Sequence, residues 1–418
     1  MNSRERLLKT LNHQPADRVC IDFGATGQTG IGVSAVYQLR KKLLNDSSTR
    51  VKVIEPYQML GEVDELLRHA LNVDVMGVFP PKNMFGFENT NWKPFEMFDG
   101  TPLLVPEDFN YTSDENNNIL IYPEGDVTVP ACAMMPDGGY FFDALKRQEP
   151  LDENNLNPED NCREFGLISQ DDLDYFAASA NKLYSEMELG IVMTIPGTAF
   201  GDIALVPATW MKAPKGIRDV EEWYISILTR RDYVYEVFEK QCEIVLENIR
   251  RLAKAVGDKV QLVHVSGTDF GTQSGLFISP DVYRDLFKPF QKKVNDLIHE
   301  LTDWKIFIHS CGAVSELIPD FIEAGFDIFN PVQCSATGME PRRLKAEFGK
   351  DIVFWGGGGD TQKTLPFGTP EDVYREVRER IEIFSDSGGF VFNTIHNIQS
   401  NVPVENILSM LQALKDSI

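Results

Sequence analysis

Nowhere in the 418 residues does an apolar run approach the ~20 positions needed to cross a bilayer, so a membrane-spanning helix is not expected. Cysteine is sparse. The six thiols, at 20, 132, 162, 242, 311 and 334, are scattered with no paired spacing, which argues against a disulfide framework or a redox dithiol and for reduced cysteines. The start, Met1-Asn-Ser-Arg-Glu-Arg, is charged and lacks the apolar core of a secretory signal, so a cytoplasmic location is expected. Positive charge is also short: 40 Lys and Arg against 63 Asp and Glu leave a formal charge of −23. Partners with a dense negative surface, nucleic acid and anionic membrane, are therefore not expected. Neither Gly-x-x-x-x-Gly-Lys nor GxGxxG occurs, and the glycines of Gly24-Ala-Thr-Gly27-Gln-Thr-Gly30 read as a permissive turn rather than a phosphate cradle.

What is present is material for a large core, 43% hydrophobic and 11% aromatic residues, laid out as alternating strands and helices. Strands are predicted at 19–23, 73–79, 190–195, 260–265, 305–309, 326–330, 352–355 and 389–392, nearly all followed by a helical pattern. A short helix over 3–11, with Ser3 as its cap, opens the chain, and spacing predicts another over 60–71. Eight strands with helical crossovers point to an α/β fold, a (β/α)8 TIM-type barrel, with a doubly wound open sheet as the alternative arrangement of the same alternation. Such barrels commonly pass about 250 residues as one unit, so 1–418 is read as a single domain. The alternation is interrupted after the second strand. Residues 91–143 carry short alternating runs, 119–122 and 127–129 among them, bounded by Gly and Asn, and predict a β-hairpin insertion covering the mouth.

In a barrel of this kind the reacting groups come from the C-terminal ends of the strands. Reading only those ends gives Asp22, Asp269, His309 with Cys311, Asn330 with Gln333, Asp360, and His396 with Asn397. His309 and Cys311, two residues apart on one strand, share a face, and imidazole and thiolate are both good zinc ligands. The same pair also reads as a buried thiol beside a hydrogen-bonded histidine. His264, lower on its strand, reads as a core histidine satisfied by a neighbour.

Three segments carry a family likeness: Phe307-Ile-His309-Ser-Cys311-Gly312; Gly267-Thr-Asp269-Phe-Gly-Thr-Gln273 with Ile278-Ser-Pro280; and Gly388-Gly-Phe through Val402-Pro-Val-Glu405-Asn406-Ile. Together they resemble the uroporphyrinogen decarboxylase superfamily, over most of the chain from Val260 onward. Within it, His-x-Cys followed by a later cysteine marks zinc-dependent methyltransferases that move methyl groups between a corrinoid protein and a thiol or methylated small molecule. The later cysteine's place is taken here by His396. The resemblance thus implies a Zn2+ held by His309, Cys311 and His396 with a position open to substrate, a corrinoid (cobalamin) carried by a partner protein, a small methyl donor or acceptor, and Asp269, Gln273 and Asp360 as catalytic groups orienting substrate or imidazoles. The decarboxylases proper carry an Arg-Gln-Ala-Gly-Arg segment near the N-terminus that binds substrate carboxylates. The corresponding Asp22-Phe-Gly-Ala-Thr-Gly-Gln-Thr-Gly has no arginine, which disfavours a porphyrinogen. A metal-free lyase of the decarboxylase type, in porphyrin metabolism, and a non-catalytic barrel binding a small ligand are the competing readings.

Overall fold

The computed structural model describes residues 1–417. Eight short apolar runs pair in parallel: β1 Cys20–Ile21, β2 Val75–Val78, β3 Gly190–Thr194, β4 Leu262–Ser266, β5 Lys305–His309, β6 Ile328–Asn330, β7 Val353–Trp355 and β8 Phe390–Phe392. Their order is β1-β8-β7-β6-β5-β4-β3-β2, a nearly closed (β/α)8 barrel. Because both faces of each strand are covered, the strands are apolar almost throughout. In β5, Phe307 packs inside the barrel with Val192, Leu262, Ile328, Val353 and Val391. Ile306 and Ile308 pack outward against the helical layer.

The gap in the ladder lies between β1 and β2, and one carboxylate bridges it. The backbone N–H of Asp74 donates to Ile21 O (2.8 Å). Its side chain, fully buried, accepts from the Ile21 N–H (2.9 Å), Ser3 Oγ (2.6 Å), Arg6 Nη1 (2.6 Å) and both terminal nitrogens of Arg18 (2.7 and 2.8 Å). A buried charge is tolerated only when donors saturate it, and five donors do so here. The same contacts anchor the opening helix, α1 Ser3–Leu11, whose Leu7 and Leu11 plug the bottom of the barrel. The helix is capped one residue earlier than the sequence suggested. Asn2 accepts from the Glu5 N–H (2.8 Å) and Glu5 returns the bond to the Asn2 N–H (3.0 Å), a reciprocal box that frees Ser3 for Asp74.

Outside the barrel lie two four-stranded sheets. One is an antiparallel meander of Tyr111–Ser113, Ile119–Ile121, Ala133–Met135 and Asp143–Ala144. The other pairs the hairpin Lys93–Glu96 and Pro102–Val105 with Val51–Glu55 and Leu60–Gly61, which come from before β2. The run 60–71 is therefore not one helix. Asp64 caps a shorter one, Glu65–Leu71, by accepting from the Leu67 N–H (3.0 Å). Residues 127–129 form a turn instead of a strand, because Asp126 accepts from both the N–H (3.0 Å) and hydroxyl (2.6 Å) of Thr128. The sheets reach the mouth through Tyr57 and Gln58: Phe142 N–H donates to Tyr57 O (2.8 Å), and Gln58 Nε2 donates to Gly27 O (2.9 Å). Among the described residues no helix is long and apolar enough to cross a membrane.

Replacing Asp74 with Ala opens the seam, leaves Arg18 without a carboxylate partner and leaves Arg6 with Asp17 alone, so the loss should be about 3–5 kcal/mol of unfolding free energy. Urea denaturation measures it, and a midpoint equal to wild type would show that the seam is closed by other means.

Candidate metal centre at the barrel mouth

Pairing carries the chain past β5, since Ser310 N–H still donates to Asn330 O (2.8 Å), and the turn comes only at Gly312 (φ +91°). A side chain at Gly312 would press on Gly271 C at 2.3 Å, so the β4 and β5 loops meet backbone to backbone only because both residues are glycine. Cys311 is fixed just before this contact by its own N–H, which donates to Asp269 Oδ1 (2.7 Å). Its Sγ then lies 3.2 Å from His309 Nε2.

His396 arrives from the loop after β8. Ile395 N–H donates to Gly359 O (2.9 Å), and the fully buried Asn397 accepts from Gly30 N–H (2.6 Å) while donating to Gly27 O (2.9 Å) and Gln58 Oε1 (2.7 Å). Asn397 is thus the anchor of the loop, and it also borders the cavity at the mouth. The His396 ring stands 5.4 Å from that of His309 at 76°. One ligand atom from each of His309, Cys311 and His396 lies within 4.8 Å of the others.

The tautomer of His309 follows from its neighbours. Asn330 Nδ2 donates to Trp355 O (2.7 Å), which turns Asn330 Oδ1 toward His309 Nδ1. An amide oxygen only accepts, so Nδ1 carries the proton and Nε2 presents a lone pair to the site. Burial lowers the His309 pKa to about 4 and lowers that of His396 as well, aided there by His309, so both rings are neutral at pH 7. Burial first, and then the nearby Asp269, pushes the Cys311 thiol well above its ordinary value.

The remaining rim groups divide. Asp269 grips the Cys311 backbone, and its Oδ1 lies 3.8 Å from His309 Nε2. Gln273 sits at the surface of the mouth, its Nε2 donating to Gln362 Oε1 (2.8 Å). Gln333 accepts from Gly312 N–H (2.7 Å) and reaches the same Gln362 oxygen at 3.5 Å. These amides and Gln399 surround a cavity of about 330 Å3 that opens on Cys311 and His396. Asp360 does not face this cavity; it caps the next turn by accepting from Gln362 N–H (2.7 Å) and Lys363 N–H (3.1 Å). Asp22 is not on the rim either. It is fully buried, takes the Trp355 indole N–H (2.9 Å) and the Ala25 N–H (2.8 Å), and burial raises its pKa to about 6. His264 is buried as expected but not satisfied: its Nε2 has no hydrogen-bond partner, and burial followed by His309 lowers its pKa to about 3.

Three groups beside the site were not singled out from the sequence. Asp202, on the irregular connection after β3, is 9% exposed, and burial with the neighbouring Asp269 raises its pKa to about 7. Gln28 lies in the glycine loop after β1, and Tyr224 donates to Asp269 O (3.4 Å). For Asp202 and Gln28 the available signal was position on a strand-to-helix loop, which strand ends alone do not sample; Tyr224 lies on the helix Val220–Thr229.

Residues 147–417 match the family described as uroporphyrinogen decarboxylase (URO-D). No curated protein sequence matches the chain. Among solved structures, a methyltransferase from Methanosarcina mazei is similar over 100% of this chain and 99% of that one, at 14% identity and a TM-score of 0.54. A putative vitamin-B12 independent methionine synthase from Listeria monocytogenes is more distant, at 12% identity and a TM-score of 0.35 over 96% and 99% of the two chains. The first shares the whole barrel layout, and the match over 147–417 takes in β3 to β8 with every residue of the His-Cys-His group: the chain belongs to the uroporphyrinogen decarboxylase family.

Proposed function

We propose that this protein is a zinc-dependent methyltransferase, moving a methyl group between a small substrate and a corrinoid carried by a partner protein in the cytoplasm. The observation that carries the reading is the convergence of His309 and Cys311, at the end of β5, and His396, on the loop after β8, onto one point at the barrel mouth. Two neutral imidazoles and one thiol are a donor set that suits Zn2+, and three protein ligands leave a place for substrate. Family membership and the barrel shared with a methyltransferase support the reaction class. The free cysteines suit a reducing compartment.

A zinc ion held there would serve as a Lewis acid toward the heteroatom at the methyl group. The chain's own residues do the rest. Asn330 keeps the His309 lone pair directed inward, and Asp269 holds the Cys311 backbone so that the sulfur lies beside it. Gln273, Gln333 and Gln362 can orient a substrate by hydrogen bonds, and Asp360 supports them by fixing the turn that carries Gln362. We take residues 91–143 to be an insertion in a single barrel domain that tunes access to this mouth. A metal-free decarboxylase is the poorer reading, since the cavity lining contains no Arg or Lys among the described residues to receive substrate carboxylates.

Cys311→Ser should lose most bound zinc and all methyl transfer to or from cobalamin, with its unfolding midpoint nearly unmoved. Elemental analysis decides: equal zinc in wild type and in the Cys311→Ser, His396→Ala double variant sinks the ligand set.

Zinc binding should also expel about one proton per ion between pH 6 and 8, raising affinity about tenfold per pH unit. The sign follows from the groups present. The thiol, pushed upward, is still protonated there, whereas the imidazoles, pushed downward, have already lost their protons. Calorimetry in buffers of different ionisation enthalpy counts the protons, and zinc binding with none released would show that Cys311 is not a ligand.

A further inference from the structure

His309 and Cys311 are each held by a neighbour: Asn330 takes the His309 Nδ1 proton, and Asp269 takes the Cys311 N–H. His396 differs. Among the described residues neither nitrogen of its ring has a hydrogen-bond partner; the Thr394 hydroxyl donates only to its backbone carbonyl, and it stands on a loop outside any helix or strand. A ligating imidazole is ordinarily aimed by a partner on its second nitrogen. Where that partner is missing the backbone sets the ring, so whatever holds this loop decides where His396 points.

Much of that hold comes from outside the barrel. The strand Leu60–Gly61 runs along the β1 loop, with Val33 N–H donating to Met59 O (3.0 Å) and Gly61 N–H to Ile31 O (2.8 Å). The β1 loop in turn pairs with the β8 loop, Gly32 N–H donating to Ile398 O (2.7 Å) and Ile398 N–H to Gly30 O (3.0 Å). Two glycines allow the approach: a Cβ on Gly30 would lie 2.7 Å from Leu60 Cδ1, and one on Gly32 would lie 2.8 Å from Ser400 N. The glycine-rich loop after β1 therefore joins the outer sheet to the loop of His396.

Side chains lock the same joint. Gln58 Oε1 receives Asn397 Nδ2 (2.7 Å) while Gln58 Nε2 donates to Gly27 O (2.9 Å), so one amide grips both rim loops next to His396. Gln58 is itself seated by Glu55, whose carboxylate accepts the N–H of Tyr57 (3.2 Å) and of Gln58 (2.8 Å) and closes the turn.

We infer that Gln58, seated by Glu55, is a positioning residue for His396, through which the sheet outside the barrel takes part in placing the third ligand at the mouth. The inference rests on reading His396 as a zinc ligand and adds what aims it.

Two measurements on the full-length protein test it: hydrogen exchange read by mass spectrometry, and zinc affinity read by competition with a chromogenic chelator. In Gln58→Ala the peptide 393–403 should exchange roughly tenfold faster, while the strands 305–309 and 353–355 exchange as in wild type. Zinc should bind about tenfold more weakly. In a His396→Ala background the same substitution should change zinc affinity by less than about twofold, because the ligand it positions is gone. Glu55→Gln should act in the same direction by about fivefold, the loss of one hydrogen bond, and serves if Gln58→Ala does not fold. Folded variants whose 393–403 peptide exchanges at the wild-type rate would overturn the inference. So would a zinc loss equally large with and without His396. Faster exchange confined to 393–403 in a protein that binds no zinc upholds the hold on the loop while overturning the metal assignment. Zinc lost in His396→Ala but unchanged in both strap variants does the reverse.

Discussion

A two-residue β1 cannot hold a barrel shut by its own ladder, and the whole mouth depends on how that weakness is met. The carboxylate of Asp74 takes the place of missing strand pairing, joining β1, β2, α1 and two arginines at one buried point. Such a joint is directional, unlike apolar packing, because each donor must arrive along an oxygen lone pair. It therefore fixes the rotation of β1 relative to β2, and with it the height at which the β1 loop meets Asn397 on the other side of the rim. Order at the bottom of the barrel is inherited at the top.

From that frame a hydrogen-bonded line crosses the interior. Asp22 at the end of β1 receives the Trp355 indole, the Trp355 carbonyl receives Asn330, and Asn330 receives His309. Each member is fully or almost fully buried, so no water competes for these bonds, and each has only one arrangement that satisfies its partners. The imidazole orientation is consequently a property of the core, set three side chains away from the residue that uses it.

The eight barrel strands were legible because strands buried on both faces appear as continuous apolar runs, and no other element of this chain mimics them at that length. Val51–Glu55 escaped although it alternates, since one partner, Pro102–Val105, lies some fifty positions away and the nearby one, Leu60–Gly61, is too short to announce itself as a strand. His309 and Cys311 stand two apart on one strand end and could be read as a pair, whereas His396 was joined to them only through the family likeness, since its approach to them depends on Asn397 anchoring a loop, which is a tertiary fact. Asp22, Asp269 and Asp360 look alike at strand ends. What separates them is whether neighbouring N–H groups have already consumed their oxygens, and sequence does not show that. Asp202 and Gln28 were missed for the converse reason: their surroundings, not their spacing, make them unusual.

The amides over the cavity bear on timing. Gln362 Oε1 is shared between Gln273 and Gln333, so loops following β4, β6 and β7 are tied at one oxygen. The tie is a single neutral acceptor near solvent, worth about 1 kcal/mol net, and water can replace either donor as it leaves. Such a clasp yields on the time scale of surface side-chain motion, nanoseconds at the slowest step. Opening of this clasp is accordingly too quick to hold back exchange between the cavity and the solvent around it.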